Sequence, residues 1–566
     1  MTMTSTHARA IVDLVDRKRL WGHLDAFSTT VRTSGSPAEA TAFAYAERVL
    51  RDLGFVVRRL DHDGYVSMPG AASLRIGSQD VPCITHAMAA PTKGTQARLA
   101  WADGDEVEGR IAVEYGLARP GAVRDLANRG AVGAIFINAN QRYEMVVSPV
   151  WGSPDAEQLS EVSRIPILSV TGDVESMLST AIEEGEEASM QAEVETGWCT
   201  LPLLEATLTA PQGDGSAILF SGHIDAWHYG AMDNGGANAT MLEVATVLAT
   251  QREAMNRDLK ILFWSGHSHG RYAGSQWYAD HHAEELRDRV LLHVNIDSVG
   301  GAGADDLTQA PSMPETFALA ARVIADETGQ RYEGVRFERA GDQSFWGHGV
   351  SSVFMGLSEQ PRSDDVAGRA FGALFGKSRA GGFGWWWHTP EDTIDKLDPE
   401  RLTRDCRVYL RLVHEACTAP VAPLSYAATA RDLAERIERW SLELEDRMDL
   451  STLAARSGEL TRLLDRLEAS WVSYPTPRAW QTQKALARHL VPLEYVAGPV
   501  HAHDPALAQP PVPLLAGLEA VSTCRDEVTL KHLRVGLQRR VNHVAWELRE
   551  ACRVAQAGLD DLEVTR

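Results

Sequence analysis

The stretch AILFSGHID, residues 217–225, places a run of apolar residues directly before a histidine and an aspartate. Two further apolar runs, residues 259–264 and 290–296, also end at polar residues, and helix-forming segments occupy residues 237–250 and 275–283. This alternation of buried strands and helices predicts a largely parallel sheet that is covered on both faces. Polar side chains that follow the strand ends should gather at one edge of that sheet, where open α/β sheets keep their sites.

Four polar motifs lie at these strand ends or in loops. Each motif alone is a weak signal, because a single histidine is more often a hydrogen-bonded core or surface residue and an aspartate after a strand is usually a helix cap. Together, their histidines and aspartates form a ligand set suited to zinc or a similar divalent ion. The motifs are Ser221–Trp227 with Gly230–Gly236, Trp264–Ser275, Val294–Asp297 and Trp385–Thr393.

The order of these motifs resembles the zinc aminopeptidase family, which includes bacterial leucine aminopeptidases, glutamate carboxypeptidase and the transferrin receptor. The shared elements are His-x-Asp, Asp-Asn-Gly, a strand-end motif before Gly-Ser, Asn-x-Asp and a late His-Thr-x-x-Asp-Thr, over roughly residues 10–420. The resemblance implies an α/β fold with a mostly parallel, mixed sheet flanked by helices, an inserted β-rich protease-associated domain and a C-terminal helical domain.

We therefore predict a catalytic unit from residues 1–71 and 197–420, a protease-associated-like insertion at 72–196, and a helical, dimerisation-type domain at 424–566. Near the insertion, residues 55–60 and 65–68 are predicted as two short strands. In the tail, residues 427–467 and 529–559 have helical spacing, and a proline-rich stretch from residue 475 to 513 separates them.

The resemblance also implies roles for five residues. His223, Asp233 and Asp297 would hold one metal ion, and Asp233 would bridge to a second ion that His388 also binds. Asp225 would be the carboxylate that orients His223. The expected cofactor is a divalent metal, with zinc as the favoured ion, at one or two ions per chain.

This sequence departs from the family at the second motif. The family has two adjacent glutamates there, the first a general base and the second a metal ligand, whereas this chain has His267 and Ser268 with His269 next. A neutral hydroxyl is a weak ligand for zinc. His267 is therefore either a general base suited to neutral pH or a ligand, and His269 is an alternative ligand.

Charge counting leaves three alternatives open. With only two ligand aspartates, two divalent ions would leave the site at about +2, whereas one ion would leave it near neutral. The second ion is then weak or absent, or the site holds two ions and accepts an anionic substrate, or catalysis has been lost. The candidate substrate-binding residues are Trp227, His228, Arg271 and Trp387.

Arginines near the motifs are possible carboxylate clamps. For each of the three considered, Arg271, Arg339 and Arg362, a solvated surface position is the ordinary expectation. The loop that begins at Asp342 precedes Gly349-Val350 much as a substrate-pocket loop does in the family.

Composition limits the partners. The formal net charge of −22 argues against nucleic acid and against anionic membrane surfaces. We find no apolar stretch of membrane-spanning length, no signal-peptide pattern and no CxxC pair among the six cysteines, so a cytoplasmic protein with reduced thiols is expected. The long Leu-rich tail suggests a homodimer.

The function that follows is metal-assisted hydrolysis of an amide or peptide bond in a small molecule or short peptide, with His267 accepting the proton of water. Two rivals stay open from the sequence. One is a single-metal acyl transferase, cyclase or lyase on the same fold, in which no base for water is required. The other is a binding or scaffold protein without catalysis.

Overall fold

A computed structural model of the chain describes residues 11–364, 366–374 and 380–564. A central mixed sheet runs through it and connects the catalytic unit with the insertion. The strands are β1 (Val56–Ile76), β2 (Gln79–Val81), β3 (Ile84–Thr85), β4 (Thr92–Trp101), β5 (Ile111–Tyr115), β6 (Gly133–Ile137), β7 (Ile167–Val170), β8 (Glu187–Leu208), β9 (Ala217–His223), β10 (Asp258–Trp264), β11 (Val290–Asn295) and β12 (Ser351–Val353).

The sheet order is β12-β11-β9-β10-β8-β4-β5-β6-β7-β3. Strands β12, β11, β9 and β10 are mutually parallel, as are β4 to β7, and β8 joins the two groups in antiparallel pairing. In the catalytic group every residue of β9 and β11 is buried, because helices cover both faces. The predicted α/β class with a mostly parallel sheet is confirmed.

Strands β1 and β8 differ from the prediction. Instead of two short strands, β1 is one strand of 21 residues that pairs with β8 from Val56↔Thr207 to Ile76↔Ala188. The polar sequence before Gly64 looks like a turn, but Gly64 pairs with Cys199, and a Cβ at residue 64 would lie 2.3 Å from the Leu201 side chain. The glycine therefore permits a close approach rather than a turn.

The predicted domain boundaries at residues 72 and 196 fall inside these two long strands. The catalytic unit and the insertion thus share continuous strands. The division of the chain into functional domains stays a prediction.

Helices flank the sheet and form the tail. They are α1 (Arg17–Ser28), α2 (Pro37–Asp52), α3 (Pro120–Asn128), α4 (Glu175–Glu184), α5 (Ala237–Thr250), α6 (Ala273–His281), α7 (Ala283–Asp288), α8 (Pro314–Thr328), α9 (Val366–Leu374), α10 (Pro399–Thr418), α11 (Tyr426–Leu444), α12 (Ser451–Ser473), α13 (Ala479–Tyr495), α14 (Leu518–Thr523) and α15 (Glu527–Val564). Helix α5 coincides with its predicted range, because it begins directly after Gly235-Gly236 and its apolar pattern ends before the polar residues 251–253.

The C-terminal helical part is present, but the proline-rich stretch is not simply a connection. It contains α13, which tolerates Pro492 in its last turn. From α13 the buried Lys484 donates hydrogen bonds to the carbonyls of Val290, His348 and Gly349 at 2.6 to 3.2 Å. The tail is thereby joined to the catalytic sheet.

All six cysteines are free. None of the helices that the structure describes combines the length and the apolar character needed to cross a bilayer.

The N-terminal segment holds the loop that follows β9. Arg32, which is fully buried, donates to the carbonyls of Ile224, Tyr229 and Gly230 at 2.8 to 3.0 Å and also to that of Phe27. Burial lowers the pKa of the Arg32 guanidinium to about 10. Four main-chain carbonyls around one guanidinium fix the path of the loop on which the first motif lies.

Replacing Arg32 with Ala should lower the midpoint of thermal unfolding by roughly 5 to 10 °C. The four buried carbonyls would lose their hydrogen-bond donor, which should lower the free energy of unfolding by about 3 kcal/mol. Differential scanning calorimetry measures the change. The control is Arg51→Ala on the exposed face of α2, which removes only an i,i+4 pair with Glu47 and should leave the midpoint within about 2 °C. Equal midpoints for the two variants would contradict the role of Arg32.

Candidate metal centre

The three parallel strands β9, β10 and β11 end at the same edge of the sheet, and the loops after them converge there. His223 is the last residue of β9, and Asp297 follows β11 by two residues. The main-chain N–H of Asp297 donates to the carbonyl of Met355 at 2.8 Å, which fixes the start of its loop. The sheet edge predicted from the sequence therefore brings these residues together.

Asp233 lies between two histidines. One of its carboxylate oxygens is 3.2 Å from His223 Nε2, and the other is 3.0 Å from His388 Nε2. His223 Nε2 is also 3.6 Å from a carboxylate oxygen of Asp297. The four metal ligands implied by the resemblance are thus neighbours, with Asp233 between His223 and His388.

These atoms fit a divalent cation. With metal–ligand bonds of about 2.0 to 2.1 Å, the ligands of a tetrahedral zinc ion lie about 3.3 Å apart, close to the separations around His223. His223 Nε2 and Asp233 Oδ1 are buried and have no hydrogen-bond partner. Imidazole nitrogen and carboxylate oxygen are donors that zinc prefers, and orphaned buried atoms of these kinds require a ligand of opposite character.

Residues 206–413 match the family described as "Peptidase family M28". This segment begins in β8 and ends in α10, so it contains all four of these residues. Residues 206–413 are an M28 peptidase domain.

Curated relatives are similar to the chain over limited lengths. It is 22% identical over 248 residues to "Probable glutamate carboxypeptidase VP8" of Zea mays, covering 40% of this chain and 32% of that protein. It is 26% identical over 358 residues to "Carboxypeptidase Q" of Xenopus laevis, covering 56% of this chain and 73% of that protein. The chain thus spans about a third of the maize relative and about three quarters of the frog relative.

The fold is that of a solved zinc aminopeptidase from Bacillus subtilis, BSAP. The TM-score is 0.54 at 19% sequence identity, and the alignment covers 71% of this chain and 96% of that structure. At this identity the likeness establishes the fold of the M28 domain and its surroundings.

His223 is oriented differently from the prediction. Its Nδ1 donates to the main-chain carbonyl of Asp225 at 2.8 Å, whereas the Asp225 carboxylate is 3.6 Å away. That carboxylate accepts instead from the Ser34 hydroxyl at 2.6 Å and from the Ser268 N–H at 2.8 Å. Asp225 therefore orients the His223 ring through its main-chain carbonyl, and its carboxylate connects the first motif to Ser268 of the second.

His388 is oriented by the insertion, through a residue that the sequence analysis missed. Its Nδ1 donates to the carbonyl of Glu144 at 2.6 Å, and the Glu144 N–H donates to the carbonyl of His388 at 3.0 Å. Burial raises the pKa of the Glu144 carboxyl to about 8, and this carboxyl is 3.8 Å from His228 Nε2. The insertion therefore contributes directly to the M28 site, although nothing in the sequence marks a main-chain carbonyl as a partner.

Asp392, in the late His-Thr-x-x-Asp-Thr motif, supports the bridging aspartate. It accepts from the main-chain N–H groups of Met232 and Asp233 at 2.9 and 3.0 Å. Burial raises the pKa of the Asp392 carboxyl to about 7. The loop also needs Gly230, whose φ is +52°, because a Cβ there would lie 2.3 Å from the Asp233 carbonyl oxygen.

Of the two histidines proposed to replace the lost glutamates, the structure brings His267 to the site. The ligand atoms of His223, His267 and Asp297 lie within 4.8 Å of one another. The rings of His223 and His267 are stacked at 3.7 Å with an angle of 5° between their planes. Nδ1 of His267 is 2.8 Å from a carboxylate oxygen of Asp342, a partner 75 residues away that the sequence analysis did not identify.

His269 is outside this group. Its Nδ1 is 3.0 Å from the Ser34 hydroxyl, and its ring packs against Trp227 with the centroids 4.5 Å apart. Burial lowers the pKa of His269 to about 4. Its contacts are those of a neutral packing residue, so His269 as a metal ligand gains no support from this arrangement.

A narrow cleft of about 70 Å³ opens next to the site. Three of the four predicted substrate-binding residues, Trp227, Arg271 and Trp387, line it. His228 is not in the lining and lies beside Glu144 instead. Trp387 stacks on His388 with ring centroids 3.4 Å apart, which fixes one wall of the cleft against the metal centre.

The expectation that Arg271 and Arg339 are solvated is wrong. Arg271 is 9% exposed and Arg339 7% exposed, since both pack against aromatic rings. Arg362 is half-buried and forms ion pairs with Asp306 and Glu333 at 3.0 and 3.1 Å. Only one of the three, Arg271, lines the cleft.

Replacing His223 or Asp297 with Ala should abolish stoichiometric metal binding, because each supplies one of the few donors at the centre. Elemental analysis of the purified protein measures the metal, and circular dichroism checks that the fold persists. His269→Ala is the matched control and should keep the metal. Full metal content in either ligand variant would mean that the centre lies elsewhere.

Proposed function

We propose that the protein is a metal-dependent peptidase of the aminopeptidase type that hydrolyses an amide or peptide bond of a small substrate. The observation that carries this proposal is the convergence of His223, Asp233, Asp297 and His388 beside a cleft. A divalent cation held there would polarise the substrate carbonyl and lower the pKa of water. Zinc fits the donor set, and BSAP is by its name a zinc aminopeptidase.

The donors favour one firmly held ion and a weaker second one. His223, Asp233 and Asp297 surround the first position at 3.2 and 3.6 Å from His223 Nε2. The described residues at this sheet edge whose ligand atoms all lie within 4.8 Å of one another are His223, His267 and Asp297, whereas His388 contacts Asp233 at 3.0 Å outside that group. Ser268, which stands where the family has a ligand glutamate, adds a neutral hydroxyl at most.

His267 is the group that accepts the proton. An imidazole lone pair lies in the plane of its ring, and the rings of His267 and His223 are parallel. Two parallel rings cannot direct both lone pairs to one point between them, so an ion held by His223 would lie outside the plane of the His267 ring, and His267 would serve as a base rather than as a ligand. It can take the proton of the attacking water at Nε2, because Asp342 holds Nδ1 at 2.8 Å and the nearest carboxylate to Nε2, that of Asp297, is 3.9 Å away.

His267 serves first as the base and then as the acid, so one side chain carries out both proton transfers. As the oxygen of water forms a bond with the carbonyl carbon, His267 Nε2 takes a proton from that water. The same proton passes to the amide nitrogen when the C–N bond breaks, and the products are a carboxylic acid and an amine. Asp342 stabilises the imidazolium that exists in between and is a positioning residue.

His267→Ala should lower turnover by roughly 10² to 10⁴, with bound metal retained, since that is the usual contribution of a positioned acid/base group. Asp342→Asn should lower turnover in the same direction and also retain metal, because the ring loses its orientation. Turnover of a dipeptide with zinc and elemental analysis on the same samples provide the two measurements.

The matched control for Asp342→Asn is Asp280→Asn. Asp280 forms a histidine pair of the same length, 2.8 Å to His503 Nε2, at a more exposed place. Asp280→Asn should change neither the turnover nor the metal content. Loss of one metal equivalent in His267→Ala would show that His267 is a ligand. A metal-free wild-type protein would favour the scaffold alternative.

We also propose that the tail forms a homodimer. Val528, Val535 and Trp546 lie 7 and 11 residues apart on α15, which places them on one helix face, and each is more than half exposed. Such a row of large apolar side chains is typical of a contact between subunits.

Full-length protein should run as a dimer in light scattering, and Val535→Asp combined with Trp546→Asp should convert it to a monomer. The apolar face would then carry two charges that cannot be buried without cost. Deleting the tail is a poor test, since Lys484 joins it to the catalytic sheet. A wild-type monomer at micromolar concentration would refute the proposal.

A further inference from the structure

A series of buried hydrogen bonds, here called the Trp151 network, leads from Trp151 to His267. Asp342 Oδ2 is 2.8 Å from His267 Nδ1, and Asp342 Oδ1 accepts from the Ser275 hydroxyl at 2.7 Å. The Ser275 oxygen is 2.9 Å from the hydroxyl oxygen of Ser344, which accepts from Trp151 Nε1 at 2.8 Å. The four residues beyond His267 are each at most 4% exposed. Bulk water therefore has little access to these bonds, and each of them is stronger than it would be at the surface.

The two ends of the Trp151 network fix the direction of the hydrogens between them. An indole nitrogen only donates and an ionised carboxylate only accepts. Because Trp151 donates to Ser344, the Ser344 hydroxyl is left to donate to Ser275. The Ser275 hydrogen has two acceptors, Asp342 at 2.7 Å and the carbonyl of Tyr272 at 3.3 Å, and the bond to the charged carboxylate is the shorter and stronger one. The carboxylate thus receives one hydrogen from the network and has its other oxygen left for the imidazole.

This arrangement selects one tautomer of His267. A neutral imidazole has one N–H and one lone pair, and the nitrogen that faces an ionised carboxylate carries the hydrogen. Nδ1 of His267 faces Asp342, so the hydrogen is on Nδ1 and the lone pair is on Nε2. Nε2 is the atom that takes the proton of water in the proposed reaction. The Trp151 network therefore acts on the one property that a histidine base requires, the place of its lone pair.

Trp151 belongs to the segment predicted as the insertion, and contacts with other parts of the chain hold it in place. The main-chain N–H of the next residue, Gly152, donates to the Arg271 carbonyl at 2.6 Å. The guanidinium carbon of Arg339 lies 3.9 Å from the centroid of the indole, and the same guanidinium donates to the carbonyl of Asp504 at 2.9 Å. Asp504 is part of the predicted C-terminal domain. The predicted catalytic unit and tail thus both determine where the indole donor lies.

We propose that Ser275, Ser344 and Trp151 are positioning residues for His267, which keep the lone pair of the base on Nε2. The inference rests on the proposed function, in which His267 accepts the proton of water. The three residues are not among the described residues that line the cleft, so they act on the base and not on the substrate. Their loss should therefore lower kcat and leave KM nearly unchanged.

Steady-state kinetics of the full-length, zinc-loaded protein with a dipeptide test this proposal. Ser275→Ala should lower kcat roughly tenfold, since Asp342 loses a charge-assisted hydrogen bond, while KM should change by less than about twofold. Trp151→Phe keeps an aromatic ring but removes the N–H, and should lower kcat roughly threefold. The double variant should be no slower than Ser275→Ala, because both changes interrupt the same network. A double variant in which the two factors multiply would show that the residues act separately, and would overturn the inference.

Trp346→Phe is the matched control. Trp346 is as buried as Trp151, and its Nε1 likewise donates to a serine hydroxyl, that of Ser352, at 3.0 Å. Arg339 packs against both indoles, but Ser352 is not a member of the Trp151 network. Trp346→Phe should leave kcat within about twofold of the wild type. Equal slowing by the two tryptophan variants would mean that Trp151 acts through packing alone, and would contradict its positioning role.

A direct measurement of the tautomer separates this inference from the proposed function. NMR of the full-length, zinc-loaded protein labelled with ¹⁵N in its histidine rings shows which nitrogen of the neutral ring carries the hydrogen, and His267→Ala identifies the signals. We expect the Nδ1–H form of His267 in the wild type and in Trp346→Phe, and a measurable share of the Nε2–H form in Ser275→Ala. An unchanged tautomer in Ser275→Ala would overturn the inference. No dipeptide hydrolysis by the wild type would refute the proposed function, and the NMR measurement alone would then decide the positioning role.

Discussion

The metal centre depends on one interaction, the pair of hydrogen bonds by which Asp392 receives the main-chain N–H groups of Met232 and Asp233. These bonds fix Asp233, the only carboxylate among the described residues that forms a contact with both His223 and His388. The same loop is held from the other side by Arg32, whose guanidinium binds four carbonyls around it. Residues from the beginning of the chain and from the end of the M28 domain thus hold one short loop between them.

The sequence predicted those parts of the site that follow from sheet geometry. Parallel strands end at a common edge, so the residues after β9 and β11 had to meet, and His223 and Asp297 do. His388 could be assigned only from the resemblance, because it follows no strand. The burial of Arg271 contradicted the ordinary expectation for an arginine, and its role could be judged only after its neighbours were known.

Other features left no trace in the sequence for physical reasons. His388 donates to a main-chain carbonyl, a group that every residue possesses. The sequence therefore could not identify Glu144 as its partner. Asp342 contacts His267 across 75 residues, a separation that only the folded chain closes. The polar residues in the middle of β1 resemble a turn in the sequence and predict two strands, whereas pairing with β8 overrides that local preference.

With His267 and Ser268 in the second motif, the proposed site has two aspartates near His223, Asp233 and Asp297, and Arg271 lines the cleft beside them. The chain as a whole carries a formal charge of −22, which by itself would repel an anionic substrate. Exposed charges are screened within about 8 Å at physiological ionic strength, whereas charges in a dry cleft are screened much less. We therefore expect the local field at the proposed metal centre, rather than the acidic surface, to govern which substrates bind. An anionic substrate would supply negative charge to a site with so few carboxylates, so we expect the proposed activity to favour such substrates over neutral ones of the same shape.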